Sequence, residues 1–372
     1  MNLAVNRKEL LKAVQVLKSF VQKRKGIKYL NQIELETNEK CEFLLLKNQN
    51  LKTTVQIMLK ADIKEFGSIT VDYVQLENIL KFQTSEIVFL ESEEERLIIS
   101  NGDKNKSILN RIIYTKPVNT LYDNLEETHI ILEKNKFMDN LKKVSISASK
   151  EIENVAVHGV RIETTGEAIN YVGTDTYRLS YLTNTFNSEK ISLTLPLNIV
   201  NGLIKAEKLC AKDSLALSVE NRIIRINLGN VIIQTEITDL QFPDYKTILE
   251  NTNYNKKISL STKEFKDVLK RVLNVCKSNK ESKNGAIFNF RNNKVTITAN
   301  NEQTSLEEEI STLQKGEEVR IHLNVKFLLE FVNTVKDKII EIHLLNHTSS
   351  VLLNPENNNE YKYFTMPLAL RD

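Results

Sequence analysis

One helical pattern occurs three times in this chain at nearly equal intervals, and that repetition restricts its fold more than any other feature. The segments RKELLKAVQVLKSFV from Arg7, KNKFMDNLKKVSISA from Lys134 and KEFKDVLKRVLNVCK from Lys263 carry the same apolar stripe. It falls at Leu10, Val14, Leu17 and Val21, then at Phe137, Leu141, Val144 and Ala148, then at Phe265, Leu269, Val272 and Cys276. Each set is spaced i, i+4, i+7, i+11, which puts four side chains on one face of an α-helix. The copies are offset by 127 and 128 residues. Self-similarity at a fixed period means that one supersecondary unit is used repeatedly.

A second stripe follows in each copy, at Leu76, Ile79 and Leu80, at Val200, Leu203 and Ile204, and at Leu328, Phe331 and Val332. Asp72, Pro196 and Asn324 stand just before these stripes as turn or cap residues. The rest of each copy consists of short β-branched runs such as TTVQIML, EIVFL, RLIIS, RIIRINL, VIIQTEI, KVTITA and SSVLL. Polar and glycine clusters separate them, the pattern of antiparallel strands with tight turns. Each copy therefore reads as an α+β unit, two helices packed on one face of antiparallel sheet. The spacing predicts three domains, 1–124, 125–253 and 254–372, and a chain of 372 residues is long enough for several cores.

Charge follows the repeat. The three first helices and their flanks (7–25, 134–150 and 263–283) hold a surplus of fourteen positive charges in a chain whose total is only +3. Everything else is net acidic. If these helices share a surface, it is positive and suited to the phosphate backbone of nucleic acid without base readout. Finger spacing, an RNP-like aromatic pair and tryptophan are all missing. Three isolated cysteines, Cys41, Cys210 and Cys276, point to a reducing, cytoplasmic setting. No apolar run reaches a membrane span, and the charged, amphipathic start does not read as a signal peptide.

Signals for catalysis are lacking. The five histidines (His129, His158, His322, His343, His347) show no metal-ligand spacing, and there is no P-loop or dinucleotide fingerprint. Asp175 and Arg178 read as a turn and an ion pair, and the acidic run at Ser92–Glu95 as a solvated hairpin. A non-enzymatic, cofactor-free protein is expected.

Three words are more specific: GTDTYRLS (Gly173–Ser180), FPDY (Phe242–Tyr245) and YFTMPLAL (Tyr363–Leu370). In this order, with the threefold repeat, the whole chain closely resembles the bacterial DNA polymerase III β subunit, the DNA sliding clamp. The resemblance implies three tandem clamp domains per chain and a head-to-tail homodimeric ring. It also implies basic helices lining the hole, and a processivity role in DNA replication: holding the polymerase on double-stranded DNA. The charge surplus on the first helices makes Lys12, Arg24, Lys25, Lys142, Lys150, Lys270 and Lys277 the expected DNA contacts. Arg24 rests on alignment with a family DNA contact.

Ring closure would pair an edge strand near Lys104–Ile112 with one near Thr304–Ile310 of a second copy. Lys104, Lys106 and Ile108 would then face Leu306, Glu307 and Glu309, opposite charges setting the match. Polymerase, clamp-loader and repair proteins would dock short hydrophobic peptides in an apolar cleft. The carried-over cleft residues are Val157, Thr174, Tyr177, Arg178, Leu179, Pro243, Thr247 and Ile248, with Asn324, Phe327, Thr348, Ser350, Phe364, Thr365, Met366, Pro367 and Leu368. Asn324 and Arg178 would orient the peptide. Thr176, Tyr177, Thr247 and Ala369 replace the glycine, histidine, basic residue and arginine usual in the family, and Arg371 and Asp372 extend past its terminal leucine. Those changes leave open a clamp paralogue with altered partner binding; the other alternative, a multi-domain DNA-modifying enzyme, would need clustered metal-binding carboxylates, and the sequence shows none.

Overall fold

The computed structural model describes residues 1–20, 31–39, 41–50, 52–102, 105–112, 118, 121, 129–210, 212–237, 240–250, 253–279 and 282–369. The first helices of the three copies are α1 (Arg7–Phe20), α3 (Lys134–Ser145) and α6 (Thr262–Cys276), and the second helices are α2 (Tyr73–Phe82), α4 (Leu197–Ala206) and α7 (Val325–Val332). A one-turn helix, α5 (Lys246–Glu250), was not expected. The apolar stripes are the buried faces. α1 buries Leu10, Ala13, Val14, Val16, Leu17 and Phe20, and α6 buries Phe265, Val268, Leu269, Val272 and Cys276. Each buried valine, leucine or phenylalanine among them contributes about 1.5–3 kcal/mol.

Asp72 and Asn324 cap α2 and α7, each accepting two backbone N–H bonds, and Pro196 directly precedes α4. Val21 lies outside the described residues. Ala148 is buried as predicted but not from a helix, because α3 ends at Ser145. There the N–H groups of Ser147 and Ala148 bond to Val144 and Ser145, and the chain tightens into turns at its serine-rich sequence.

The chain forms two compact units, Met1–Asp139 with Asn198–Thr238, and Asn140–Leu197 with Asp239–Asp372. The middle copy contributes to both, the division falling inside α3 and α4. In the first unit a twelve-stranded sheet is continuous across copies because Thr53–Glu65 pairs antiparallel with Val231–Glu236. At that seam the hydroxyls of Thr53 and Thr235 lie 2.9 Å apart, both buried. The second unit holds a nine-stranded and a four-stranded sheet. The nine-stranded sheet is continuous because Arg178–Thr185 pairs with Tyr361–Thr365. Every expected strand run is found, and Ser92–Glu95 is the hairpin between Ile87–Glu93 and Arg96–Ser100.

At two places in the first unit a buried charge is held by several partners. Lys47, 2% exposed, meets the carboxylates of Glu34 and Glu36 and donates to the carbonyl of Val118 at 2.9 Å. Burial would raise Glu36, but hydrogen bonds from Lys47 and Asn38 outweigh it and hold it below the ordinary carboxylate range. Glu34 accepts the Val118 N–H at 3.0 Å, and Gln56 bonds both the N–H and the carbonyl of Leu121, at 2.9 and 3.1 Å. Side chains thus bind the backbone near the end of the first copy as a neighbouring strand would.

Between α1 and α2, buried Glu77 receives Lys18 at 2.8 Å and Lys81 at 2.6 Å. Burial pushes this carboxyl up, but the two lysines outweigh it and hold it at about 2. A depressed folded value gives stability that is complete above the ordinary value near 4.5 and is lost as pH falls toward about 2. Glu77→Gln should cost roughly 1 kcal/mol at neutral pH, since both lysines keep some access to water. In thermal melts the gap between wild type and variant should be constant from pH 7 to about 5 and shrink below about 4.5. A gap unchanged well into that acid range would show that Glu77 is not the paired group.

Candidate partner-binding site

Two of the three specific words become neighbouring strands. Register places Arg178 opposite Thr365, Leu179 opposite Phe364 and Ser180 opposite Tyr363. The turn before Arg178 is built by the TD pair. Asp175 Oδ1 accepts the N–H groups of Tyr177 and Arg178, both at 3.1 Å, and Oδ2 accepts Arg178 Nε at 2.9 Å. Thr174 donates its hydroxyl to the Arg178 carbonyl at 2.7 Å and accepts the Thr176 N–H at 3.1 Å. Thr176 sits at φ 77°, a left-handed conformation that a β-branched residue adopts only under strain, costing about 1–3 kcal/mol. Gly173 is required for another reason: a Cβ there would run into the Val144 carbonyl at the end of α3.

FPDY fixes the opposite wall. Phe242 and Tyr245 are buried against Val172, Leu179 and Phe364. Asp244 caps α5, accepting the Lys246 N–H at 3.1 Å and the Thr247 hydroxyl at 2.8 Å. Tyr245 donates to Glu163 at 2.7 Å. Burial and this bond to a carboxylate push the Tyr245 hydroxyl well up. Burial alone would raise Glu163, but Tyr245 and Arg161 outweigh it and hold it low.

A cavity of about 240 Å³ lies between these walls, lined by Thr174, Thr176, Tyr177, Arg178, Leu179, Thr247, Ile248, Ser350, Phe364, Thr365 and Met366. Its floor is apolar, and Tyr177 (68% exposed) and Met366 (45%) stand at its mouth. Ten of the seventeen predicted cleft residues line it, with Thr176 in addition. The TD turn also signalled Thr176; nothing local signalled Glu330.

The other seven predicted positions lie elsewhere. Val157 is buried in the turn before Gly159–Thr164, and Pro243 and Thr348 are exposed. Asn324 spends its carbonyl capping α7, and the Phe327 ring lies 4.0 Å from the Arg178 guanidinium. Pro367 is half-buried, and Leu368 lines a separate cavity. Arg178 is 5% exposed and held by Asp175 and Glu330, the latter at 2.5 Å. Arg178 and the side-chain carbonyl of Asn324, both expected to orient a peptide, thus also make bonds within the fold.

Arg24 and Lys25 lie outside the described residues. Lys12 is on the exposed face of α1, and Lys142 is half-exposed on α3. Lys150 approaches Glu330 at 3.6 Å, Lys270 pairs with Asp267 at 3.2 Å, and Lys277 reaches Asn274 at 3.4 Å. Lys106 and Ile108 lie on Lys106–Asn110, an edge strand of the twelve-stranded sheet; Lys104 is outside the described residues. Leu306, Glu307 and Glu309 lie on Ser305–Ser311, an edge of the four-stranded sheet, where Glu309 meets Lys294 at 2.7 Å.

Sequence profiles of the DNA polymerase III beta subunit match twice, the central domain over residues 131–244 and the C-terminal domain over 249–369. The chain belongs to the DNA polymerase III beta subunit family. Its relatives include the beta sliding clamps of Buchnera aphidicola, 25% identical over 99% of this chain and all of that one, and of Escherichia coli K12, 23% identical over the full length of both. The fold is that of the family's solved structures. The Thermotoga maritima beta subunit matches with a TM-score of 0.87 at 21% identity, and a Pseudomonas aeruginosa sliding clamp bound to griselimycin with 0.85 at 21%, each over the whole of both chains.

In this family member the cavity rests on Arg178. Arg178→Met removes the buried cation shared by Asp175 and Glu330, leaving Glu330 only the exposed Lys150, and should destabilise the second unit by roughly 3 kcal/mol in urea unfolding. Adding Glu330→Gln should recover part of that loss. A double variant no more stable than Arg178→Met would show that the pair is not coupled.

Proposed function

We propose that this protein is a DNA sliding clamp in which two copies join head to tail and close a ring of six domains around duplex DNA. Each chain supplies the domains 1–124, 125–253 and 254–372. It works by topology rather than catalysis and takes no cofactor. A threaded duplex lets the ring slide but not leave sideways, while the replicative polymerase, the clamp loader and repair proteins are tethered by short hydrophobic peptides. The setting is the cytoplasm, in keeping with isolated cysteines, and no helix among the described residues is long and apolar enough to cross a membrane. The observation that carries the reading is that TDTYRL and YFTMPL pair as strands and enclose an apolar cavity, in a chain similar over its whole length to beta sliding clamps.

Basic residues favour the DNA role. Lys12, Lys142, Lys150, Lys270 and Lys277 are all exposed or half-exposed, and lysines in mobile or weak pairs suit sliding contacts with phosphate better than tight ones. Ring closure is favoured by two strands that each have one edge unpaired among the described residues, one carrying Lys106 and exposed Ile108, the other Glu307. Sedimentation should give a species of twice the 42.8 kDa chain. Reversing Glu307 and Glu309 to lysine should raise the dimer dissociation constant, and no change would place the joint elsewhere.

Cavity occupancy is tested by fluorescence anisotropy with a QLxLF-type peptide. The intact chain should bind it, and a chain ending at Phe364, which lacks Thr365 and Met366, should bind at least tenfold more weakly, the loss of about 1.4 kcal/mol of contact. Equal binding would exclude the C-terminal wall. Failure of the intact chain to bind, with DNA retention unimpaired, would instead favour the paralogue with altered partners.

A further inference from the structure

We propose that a second cavity, across the C-terminal segment from the first, accepts a carboxylate carried by the same partner peptide whose apolar anchor fills the first. This rests on the clamp reading and gives that site a further specificity. The cavity measures about 400 Å³ and includes Ser282, Lys283, Gly285, His322, Leu368 and Ala369 in its walls. Thr365 and Met366 border the first cavity, Leu368 and Ala369 the second, with only Pro367 between. The segment is pinned as a divider: Met366 N–H donates to the Tyr177 carbonyl at 2.9 Å and Leu368 N–H to the His322 carbonyl at 2.8 Å. An extended chain advances about 3.3–3.6 Å per residue, so a peptide anchored in one cavity reaches the other within two or three residues.

Space here depends on a glycine. A Cβ on Gly285 would collide with Ser282 Oγ and His322 Nε2 and lie 2.9 Å from Leu368 Cδ1. His322 Nδ1 lies 2.9 Å from the Ala369 carbonyl, which only accepts, so Nδ1 carries the proton. In the neutral ring Nε2 is then left to accept the Ser282 hydroxyl at 3.0 Å. Among the described lining residues Lys283 is the one lysine, arginine or acid; it is exposed and has no ion-pair partner among the described residues. A single ammonium without an arginine fork suits a singly charged carboxylate better than a phosphate.

The test uses the full chain and terminally capped QLxLF-type peptides with Asp or Asn at x, or one or two residues beyond the phenylalanine. At one of these positions the Asp peptide should bind roughly three- to fivefold tighter at low salt, the size of one accessible ion pair. Lys283→Met should erase that preference without weakening the Asn peptide, and Lys283→Glu should reverse it. An Asn peptide with a free C-terminus distinguishes a terminal carboxylate from a side chain as the source. Equal affinity of Asp and Asn peptides at every position, with no gain from the free terminus, would overturn the proposal. So would a preference that survives in Lys283→Met. If no peptide binds in any form, the clamp reading of the site fails and this inference with it.

Discussion

The pairing of Arg178–Thr185 with Tyr361–Thr365 is the contact on which the second compact unit depends. It joins two parts of the chain separated by nearly half its length, and the closure entropy of that loop is recovered only by a full ladder of backbone bonds and the side chains it aligns. Once the register is set, Leu179 lies opposite Phe364 and both receive Phe242 and Tyr245 on the same face. A slip of one residue would turn those side chains to the other face and remove the cavity floor. The cavity is therefore a consequence of sheet continuity. Its walls come from a turn, a one-turn helix and the chain terminus, all fastened to that seam.

Buried charge shows how such distant segments are held in place. Lys47 with Glu34 and Glu36, Glu77 with Lys18 and Lys81, and Arg178 with Asp175 and Glu330 each link different elements. Groups of this kind add little net stability relative to apolar replacements, but removing one member leaves an uncompensated charge. They specify which segments meet. Arg178 is the clearest case: a residue in the cavity wall, it also holds the turn, the α7 carboxylate and the Phe327 ring. The strained Thr176 follows from the same turn, held left-handed by Asp175 and Thr174.

Much of the architecture was legible because it is periodic. Stripes of spacing three and four marked all six longer helices, alternation marked the strands, and the charge surplus followed the first helices. Asp72 and Asn324 announced their caps by residue type alone. Legibility failed where partners are remote. The N-capping of Asn324 was visible as a cap, yet that its side-chain carbonyl takes two backbone N–H groups at once required the structure. Ala148 was assigned to a helix that the serines end early. The one-turn α5 is too short to show a period, and Glu330 reaches Arg178 across 152 residues.

By itself the sequence determined the α+β class, the threefold repeat and the family, because local periodicity and a few ordered words are properties of contiguous residues. The tertiary structure decided that the compact units cut through the middle copy, since hydrogen-bonded strands from neighbouring copies form one sheet and a sheet coheres more strongly than the chain connection. It also decided which residues enclose space. A cavity exists only where strands, turns and the terminal segment converge, and no local pattern records the shape left between them.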